Sequence, residues 1–296
     1  MKLFWTLALT ITCFNAHALN LKVSTFNIRW FGLGGTMEGS LNDEKRGQNL
    51  KDFINTVSKI GQSDVIALQE IVDQEKVRTF FPQHTCTGYT HTNEKHQYVM
   101  ICVKKPMKLV LDAGDDNYTW EDVADITIEG TNMRLRPAVH GVVQDANGVK
   151  LAHVVAVHLK AEPEETEVRL EQINRLKKHM DNGYKDKLPV VITGDFNAHI
   201  KSVTKLKTDD YLMMSEIFKK GSKPMNHIEN LEHTYRSGTT HHTLDHYWIS
   251  KDLKSTVPAV WPECKKGMTG TKFMDPKFYL KEVSDHCPVT VTLTNR

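Results

Sequence analysis

Short apolar runs recur along this chain, and each carries a carboxylate, amide or imidazole at one end. Asn27 lies near the end of the run 21–28, Glu70 ends 64–70, and His158 ends 151–158. Asp195 and Asn197 follow Val190-Val-Ile-Thr-Gly194, Asp245 opens the run 244–249, and Asp285 and His286 precede Cys287-Pro-Val-Thr-Val. A single Asp or Asn at such a place is a turn residue. Their repetition at run after run points instead to a rigid scaffold that presents polar side chains to one cleft.

The runs alternate with helical patterns. Leu50, Phe53, Ile54, Val57 and Ile60 recur at helical spacing and predict an amphipathic helix over about 43–60. Val168, Ile173, Leu176 and Met180 predict a second helix, closed by Asn182-Gly183 as a C-cap. Its Arg169, Arg175, Lys177 and Lys178 read as a solvated outer face. Tyr98 to Val103 reads as a strand, and 138–144 and 151–158 form a hairpin across Asp145-Ala-Asn-Gly148. Hairpins together with strand–helix–strand units predict a two-sheet α/β sandwich with helices outside.

The N-terminus reads as a segment removed from the fold. Lys2, an apolar stretch to Phe14, and Ala16-His17-Ala18 make a signal-peptide pattern, with cleavage expected after Ala18 and a single domain over 19–296. Export would leave Cys86, Cys102, Cys264 and Cys287, which allow three pairings in an oxidising compartment. A turn centred on Glu94 would set Cys86 opposite Cys102, so Cys86–Cys102 with Cys264–Cys287 is the favoured pairing. Lys plus Arg is 38 against 36 for Asp plus Glu. That balance does not advertise a strongly basic nucleic-acid surface, although local fields matter more than the sum.

Seven motifs occur in order: Thr25-Phe-Asn-Ile-Arg-Trp30, Leu68-Gln-Glu70, Arg136-Pro137, His158-Leu-Lys160, Gly194-Asp-Phe-Asn-Ala198, Leu244-Asp-His-Tyr247 and Ser284-Asp-His286. This set resembles the endonuclease/exonuclease/phosphatase superfamily, the deoxyribonuclease-I-like fold. The resemblance implies an α/β four-layer sandwich of two mixed β-sheets packed face to face with helices outside, and metal-dependent cleavage of a phosphoester.

A phosphodiester repels nucleophiles, so its hydrolysis needs a cation, a positioned water and an acid for the leaving alkoxide. Glu70 is a hard oxygen ligand suited to Mg²⁺, with Mn²⁺ or Ca²⁺ as alternatives. By the resemblance, Glu70 holds the metal with Asn27, and Asp285 assists. His286 looks like the catalytic histidine oriented by Asp245, and Asp195 with Asn197 like the pair that positions water and phosphate. His158 looks like the second histidine, which contacts phosphate or serves as acid. Its partner in the family is a Glu on an earlier strand, and Glu94 and His96 are both candidates here. Arg136, or Arg134 in its place, would grip phosphate as a fork.

His227, His233, His241, His242 and His246 cluster around the Asp245 motif. No helical His spacing supports a zinc site there. The segment reads instead as a substrate-side loop whose Tyr235 and Arg236 approach a nucleic-acid backbone. Three features favour a secreted or periplasmic nuclease acting on DNA, or RNA, as a monomer without stable membrane association. They are the export signal, the order His158-Leu-Lys160 then an acidic segment then Arg169-Leu-Glu-Gln-Ile-Asn-Arg175, which resembles secreted bacterial nucleases of this family, and the lack of an apolar surface hairpin. A sphingomyelinase or inositol-phosphate phosphoesterase of the same fold is the enzyme alternative, and a non-catalytic binding module the alternative of another class.

Overall fold

The computed structural model describes residues 19–32, 43–88, 97–111, 135–136, 138–201, 206–230, 232–237, 240–261 and 271–296. The signal-peptide segment 1–18, Arg134, Pro137, Cys264 and the turn holding Glu94 and His96 lie outside the described residues.

In chain order the first elements are β1 (Asn20–Phe31), α1 (Asp43–Asp52), β2 (Val65–Ile71), α2 (Gln74–Arg78), β3 (His84–Gly88), β4 (Tyr98–Lys104) and β5 (Lys108–Val110). Then come β6 (Val139–Gln144), β7 (Lys150–His158), α3 (Thr166–Gly183), β8 (Val190–Lys201), β9 (Leu206–Lys207) and α4 (Asp209–Phe218). The chain closes with β10 (Met225–His227), β11 (Tyr235–Ser237), β12 (Thr240–Ser250), β13 (Leu253–Ser255), β14 (Ala259–Val260), α5 (Pro276–Glu282) and β15 (Val289–Asn295).

One sheet runs β13-β15-β1-β2-β4-β3, with β14 beside β15. The other runs β10-β12-β8-β7-β6-β5, with β11 beside β12 and β9 beside β8. Both are mixed: β1 and β2 are parallel, as are β7 and β8, among antiparallel neighbours.

Side-chain alternation explains the layers. Val154 and Ala156 of β7, with Tyr247 and Ile249 of β12, enter the core that faces the first sheet. Val155, Val157 and Trp248 point the other way, against Ile173, Leu176 and Met180 of α3 and Phe218 of α4. A strand covered on both faces reads as an unbroken apolar run, which is why 151–158 shows no polar alternation. Tyr247 ties the sheets together, donating to the carbonyls of Val289 (2.7 Å) and Val23 (3.2 Å). The expected two-sheet sandwich with outer helices is the observed fold. No helix of the described residues is long and apolar enough to cross a membrane.

Several local expectations need correction. The helix over 43–60 is α1 followed by a π-helical turn at Phe53–Val57. Gly183 does not cap α3 in a left-handed conformation; it is the last helical residue, and Tyr184 stands at the C-cap. The α3 cations are not all solvated. Arg169 is buried and bonds Asp210 of α4 through Nε at 2.8 Å, and Lys177 is buried against Asp181. The Lys177 pair lies within α3, whereas Arg169 locks α3 onto α4 and onto the acidic segment before it, where it also donates to the carbonyls of Lys160 (3.1 Å), Glu162 (2.6 Å) and Pro163 (3.1 Å).

Cys86 and Cys102 face each other directly across β3 and β4 and form a disulfide. Cys287 is also disulfide-bonded.

Gly194 controls how closely β7 and β8 approach. Its φ is +144°, and a Cβ there would sit 2.0 Å from the Val157 carbonyl oxygen. Gly194→Ala is expected to destabilise the fold by about 3 kcal/mol or more, because backbone must move and the φ is unfavourable for any side chain. A urea melt that matched the wild type would contradict this role.

Candidate active site

Strand register assembles the site. Parallel pairing sets His158 beside Asp195, antiparallel pairing sets Asp245 beside Asp195, and parallel pairing of β1 with β2 sets Asn27 beside Gln69, next to Glu70. The ladders slip at these places: between Asn27 and Phe31, between Leu68 and Ile71, and between Thr243 and Asp245. Positive φ angles fall at or near these slips, at Arg29 (44°), Trp30 (50°), Glu70 (59°) and Asn197 (50°). Each costs backbone energy, and a bulge of this kind re-aims a side chain. The Asp195–Asn197 motif therefore lies inside a long strand rather than beyond its end, since β8 resumes pairing and runs to Lys201.

Asn27 Nδ2 donates to Glu70 Oε1 at 2.9 Å and to Asp195 Oδ2 at 3.0 Å, while its Oδ1 accepts from the Arg29 N–H at 2.9 Å. The amide nitrogen thus faces both carboxylates. The Trp30 N–H donates to Glu70 Oε2 at 3.1 Å. His158 Nε2 stands 3.7 Å from Glu70 Oε1 and 3.6 Å from Asp195 Oδ2. One donor atom each from Glu70, His158 and Asp195 lies within 4.8 Å of the others.

His286 Nδ1 is 2.9 Å from Asp245 Oδ2, and its Nε2 is 3.5 Å from Asp195 Oδ2. The His286 N–H bonds the Ser284 hydroxyl, which donates to the Asn27 carbonyl at 2.8 Å. One short polar chain thus fixes both motif ends.

Burial raises Glu70 above the usual carboxylate range, and Asp285 adds to it. Burial likewise raises Asp195, with Asp245 and Glu70 adding and His286 opposing. Burial opposes charge on His286, but Asp245 and Asp195 outweigh it and push that imidazole up to about 10. Burial, then Arg136 and His286, hold His158 well below its ordinary value, so it is neutral at pH 7. The half-buried Glu70 and buried Asp195 carboxylates, with the imidazole of His158 within 4 Å of both, suit a divalent cation: the hard oxygens favour Mg²⁺ or Mn²⁺.

The remaining candidates divide. Asp285 lies 3.4 Å from Arg29 Nε and lines the cleft. Arg136 also lines it, but donates to the carbonyls of His158 (3.2 Å) and Leu159 (2.9 Å) and to Gln97. Asn197 Nδ2 donates to the Leu159 carbonyl at 3.1 Å, and its N–H to Asp195 Oδ1 at 2.9 Å. Tyr235 packs its ring 4.9 Å from His286. Arg236, between Tyr235 and Ser237 on β11, is not among the residues lining the cleft, whereas both of its neighbours are.

His227 and His246 turn toward α4. The Ala198 carbonyl accepts from His246 Nε2 at 2.9 Å, which fixes the proton there. His246 Nδ1 must then accept from His227 Nε2 (3.1 Å), and His227 Nδ1 from the Tyr211 hydroxyl (2.8 Å). This one-way chain braces the strand that carries Asn197.

The cleft holds about 850 Å³ and is also lined by Arg29, Trp30, Lys160, His199 and His242. Sequence reasoning gave Arg29, Trp30, Lys160 and His199 no role in binding, and weighed His242 only within the zinc cluster it set aside. The alternation Asp195, Asn197, His199 was the one available signal. Trp30 had none, because two left-handed residues break the β1 pattern there.

A family model described as endonuclease/exonuclease/phosphatase family matches residues 24–286. The chain belongs to this family. Dependence on a divalent metal is typical of its members. Among curated proteins none matches the sequence. Solved structures share the family fold. The human nocturnin catalytic domain with bound sulfate is 18% identical at a TM-score of 0.60, over 94% of this chain and 95% of that one. A Bacteroides thetaiotaomicron mannosyl-6-phosphatase is 16% identical at 0.64, over 92% and 99%. TDP2 from D. rerio, complexed with single-strand DNA product, is 13% identical at 0.59, over 93% and 98%. These relatives differ in what they act on or hold, so fold alone does not choose a substrate.

Proposed function

We propose that the protein is a secreted or periplasmic, divalent-metal-dependent nuclease that hydrolyses phosphodiester bonds, DNA foremost, by in-line attack of water. The observation that carries the diester reading is the size of the cleft, which holds about 850 Å³ and is lined by Trp30 and Tyr235 as well as by Glu70, Asp195 and His286. Trp30 sits beside Glu70, and Tyr235 beside His286. Such a cleft has room beside the phosphate for the second esterified group that a diester carries and a monoester lacks.

Glu70, Asp195 and His158 would hold the cation, with Asn27 fixing both carboxylates. When bound, such a cation supplies positive charge for the phosphate oxygens and acidifies water. His286 presents Nε2 to the centre, and Asp245 on Nδ1 fixes its tautomer and orientation. Asp245, the larger of the two carboxylate pulls on the His286 proton, stays on Nδ1, and Nε2 is the atom placed to exchange a proton with the attacking water. Neutral His158 stands on the other side of Asp195, with Nε2 facing both carboxylates as the nitrogen that would complete the cation's ligand set.

Supercoiled plasmid, sphingomyelin and mannose 6-phosphate, each incubated with the protein and Mg²⁺, test the substrate class. Nicking of plasmid with the other two intact is the expected result. Hydrolysis of sphingomyelin or of the sugar phosphate with intact plasmid would overturn the nuclease reading.

A further inference from the structure

The strand that carries Asn27 and the segment that carries His286 lose their common ladder just before the site. β1 pairs with β15 as far as Thr25 against Val289, and its register with β2 slips after Asn27. The backbone at 285–287 follows the β11 segment instead. The Arg236 N–H donates to the Asp285 carbonyl (2.9 Å), and the Cys287 N–H to the Thr234 carbonyl (2.7 Å). Backbone pairing therefore fixes His286 against the second sheet and leaves its place relative to Asn27 and Glu70 to side chains.

Arg46 of α1 bridges that gap. Its Nε and Nη2 both donate to the Val283 carbonyl, at 3.0 and 2.9 Å, and Nη2 also donates to the Ile28 carbonyl. One carbonyl belongs to the residue before Ser284 and the other to the residue after Asn27, and the Ser284 hydroxyl already joins these two stretches at 2.8 Å. Asp43 takes Nη1 at 3.3 Å and also accepts from the Gly32 N–H at 2.9 Å. The guanidinium carbon stands 5.4 Å from the centre of the Phe31 ring. The side chain is fully buried and is not among the residues lining the cleft. Burying a guanidinium is costly, and an apolar side chain of similar volume would pack α1 as well or better. What the planar fork adds is a fixed spacing between two carbonyls.

We propose that Arg46 is a positioning residue for phosphoester hydrolysis, which sets His286 at its working distance from the carboxylates of Glu70 and Asp195. It touches neither substrate nor cation and acts through the segment 283–286. The role rests on the reading of His286 as the group that exchanges a proton with water.

The test is a kinetic cycle on bis(p-nitrophenyl) phosphate in Mg²⁺. It compares the wild type, Arg46→Lys, His286→Ala and the Arg46→Lys/His286→Ala double variant, each at a temperature where circular dichroism shows it folded. Lysine keeps the charge but cannot hold both carbonyls in a rigid fork. Arg46→Lys is expected to lose about 10²-fold in kcat, the scale of a misplacement of about 1 Å, with KM nearly unchanged. In the His286→Ala background the same substitution should cost almost nothing, since residues that act through one group are not additive. An equal loss in both backgrounds would make Arg46 merely structural and overturn the proposal. So would an unchanged kcat, or a loss confined to KM. If Arg46→Lys does not fold, Asp43→Asn is the milder probe, because it leaves the guanidinium in place and weakens the hold on Nη1. It should show the same pattern at smaller size, and the same contrary outcomes would overturn the role. Absence of turnover by the wild type in Mg²⁺ and in Mn²⁺ would overturn the phosphodiesterase reading and this role with it.

Discussion

His286→Ala is expected to lose about 10²–10⁴ in kcat, the range that a positioned general base supplies. Asp245→Asn should lose a large part of the same factor. The amide can still touch Nδ1, but it favours the wrong tautomer and removes the charge that supports the imidazolium. The 2.9 Å contact between them makes the pair one unit, so the double variant should be little worse than His286→Ala alone. Multiplicative losses would mean that the two residues act separately. An active His286→Ala protein would remove His286 from the chemistry and leave Asp195 as the better base.

The second large effect concerns the carboxylates. Glu70→Gln should cut activity by about 10³-fold, since it removes a charge from the only described group of donor atoms suited to a metal. A thermal readout separates this from simple misfolding. Mg²⁺ should raise the Tm of the wild type, because a ligand that binds only the folded state stabilises it by mass action. The Glu70→Gln variant should fold but show a much smaller rise. An unchanged Mg²⁺-dependent rise would place the cation elsewhere.

Much of the fold was legible because burial on both faces leaves a plain mark. The apolar runs at 64–70, 151–158 and 190–194 are central strands, and they read as strands for that reason. The pairing of Cys86 with Cys102 followed from the turn centre and is the observed register. Other features left no mark. Arg169 looks the same in sequence whether it is solvated or, as here, buried against Asp210. Glu70 and Asn197 adopt left-handed φ angles with ordinary L side chains, so no glycine announced the slips that aim them. His199 was hidden because it follows a motif already explained, and only strand pairing across β8, β12 and β11 makes it a neighbour of Tyr235. Arg236 had the charge expected of a phosphate contact, but its parity on β11 keeps it out of the cleft lining.

The central claim is that this centre hydrolyses phosphodiesters with a divalent cation held at Glu70, Asp195 and His158. Turnover of bis(p-nitrophenyl) phosphate tests it without assuming a natural substrate. The claim requires hydrolysis in Mg²⁺ or Mn²⁺, its loss in EDTA, and its recovery when excess metal is returned. Full turnover in EDTA would contradict it.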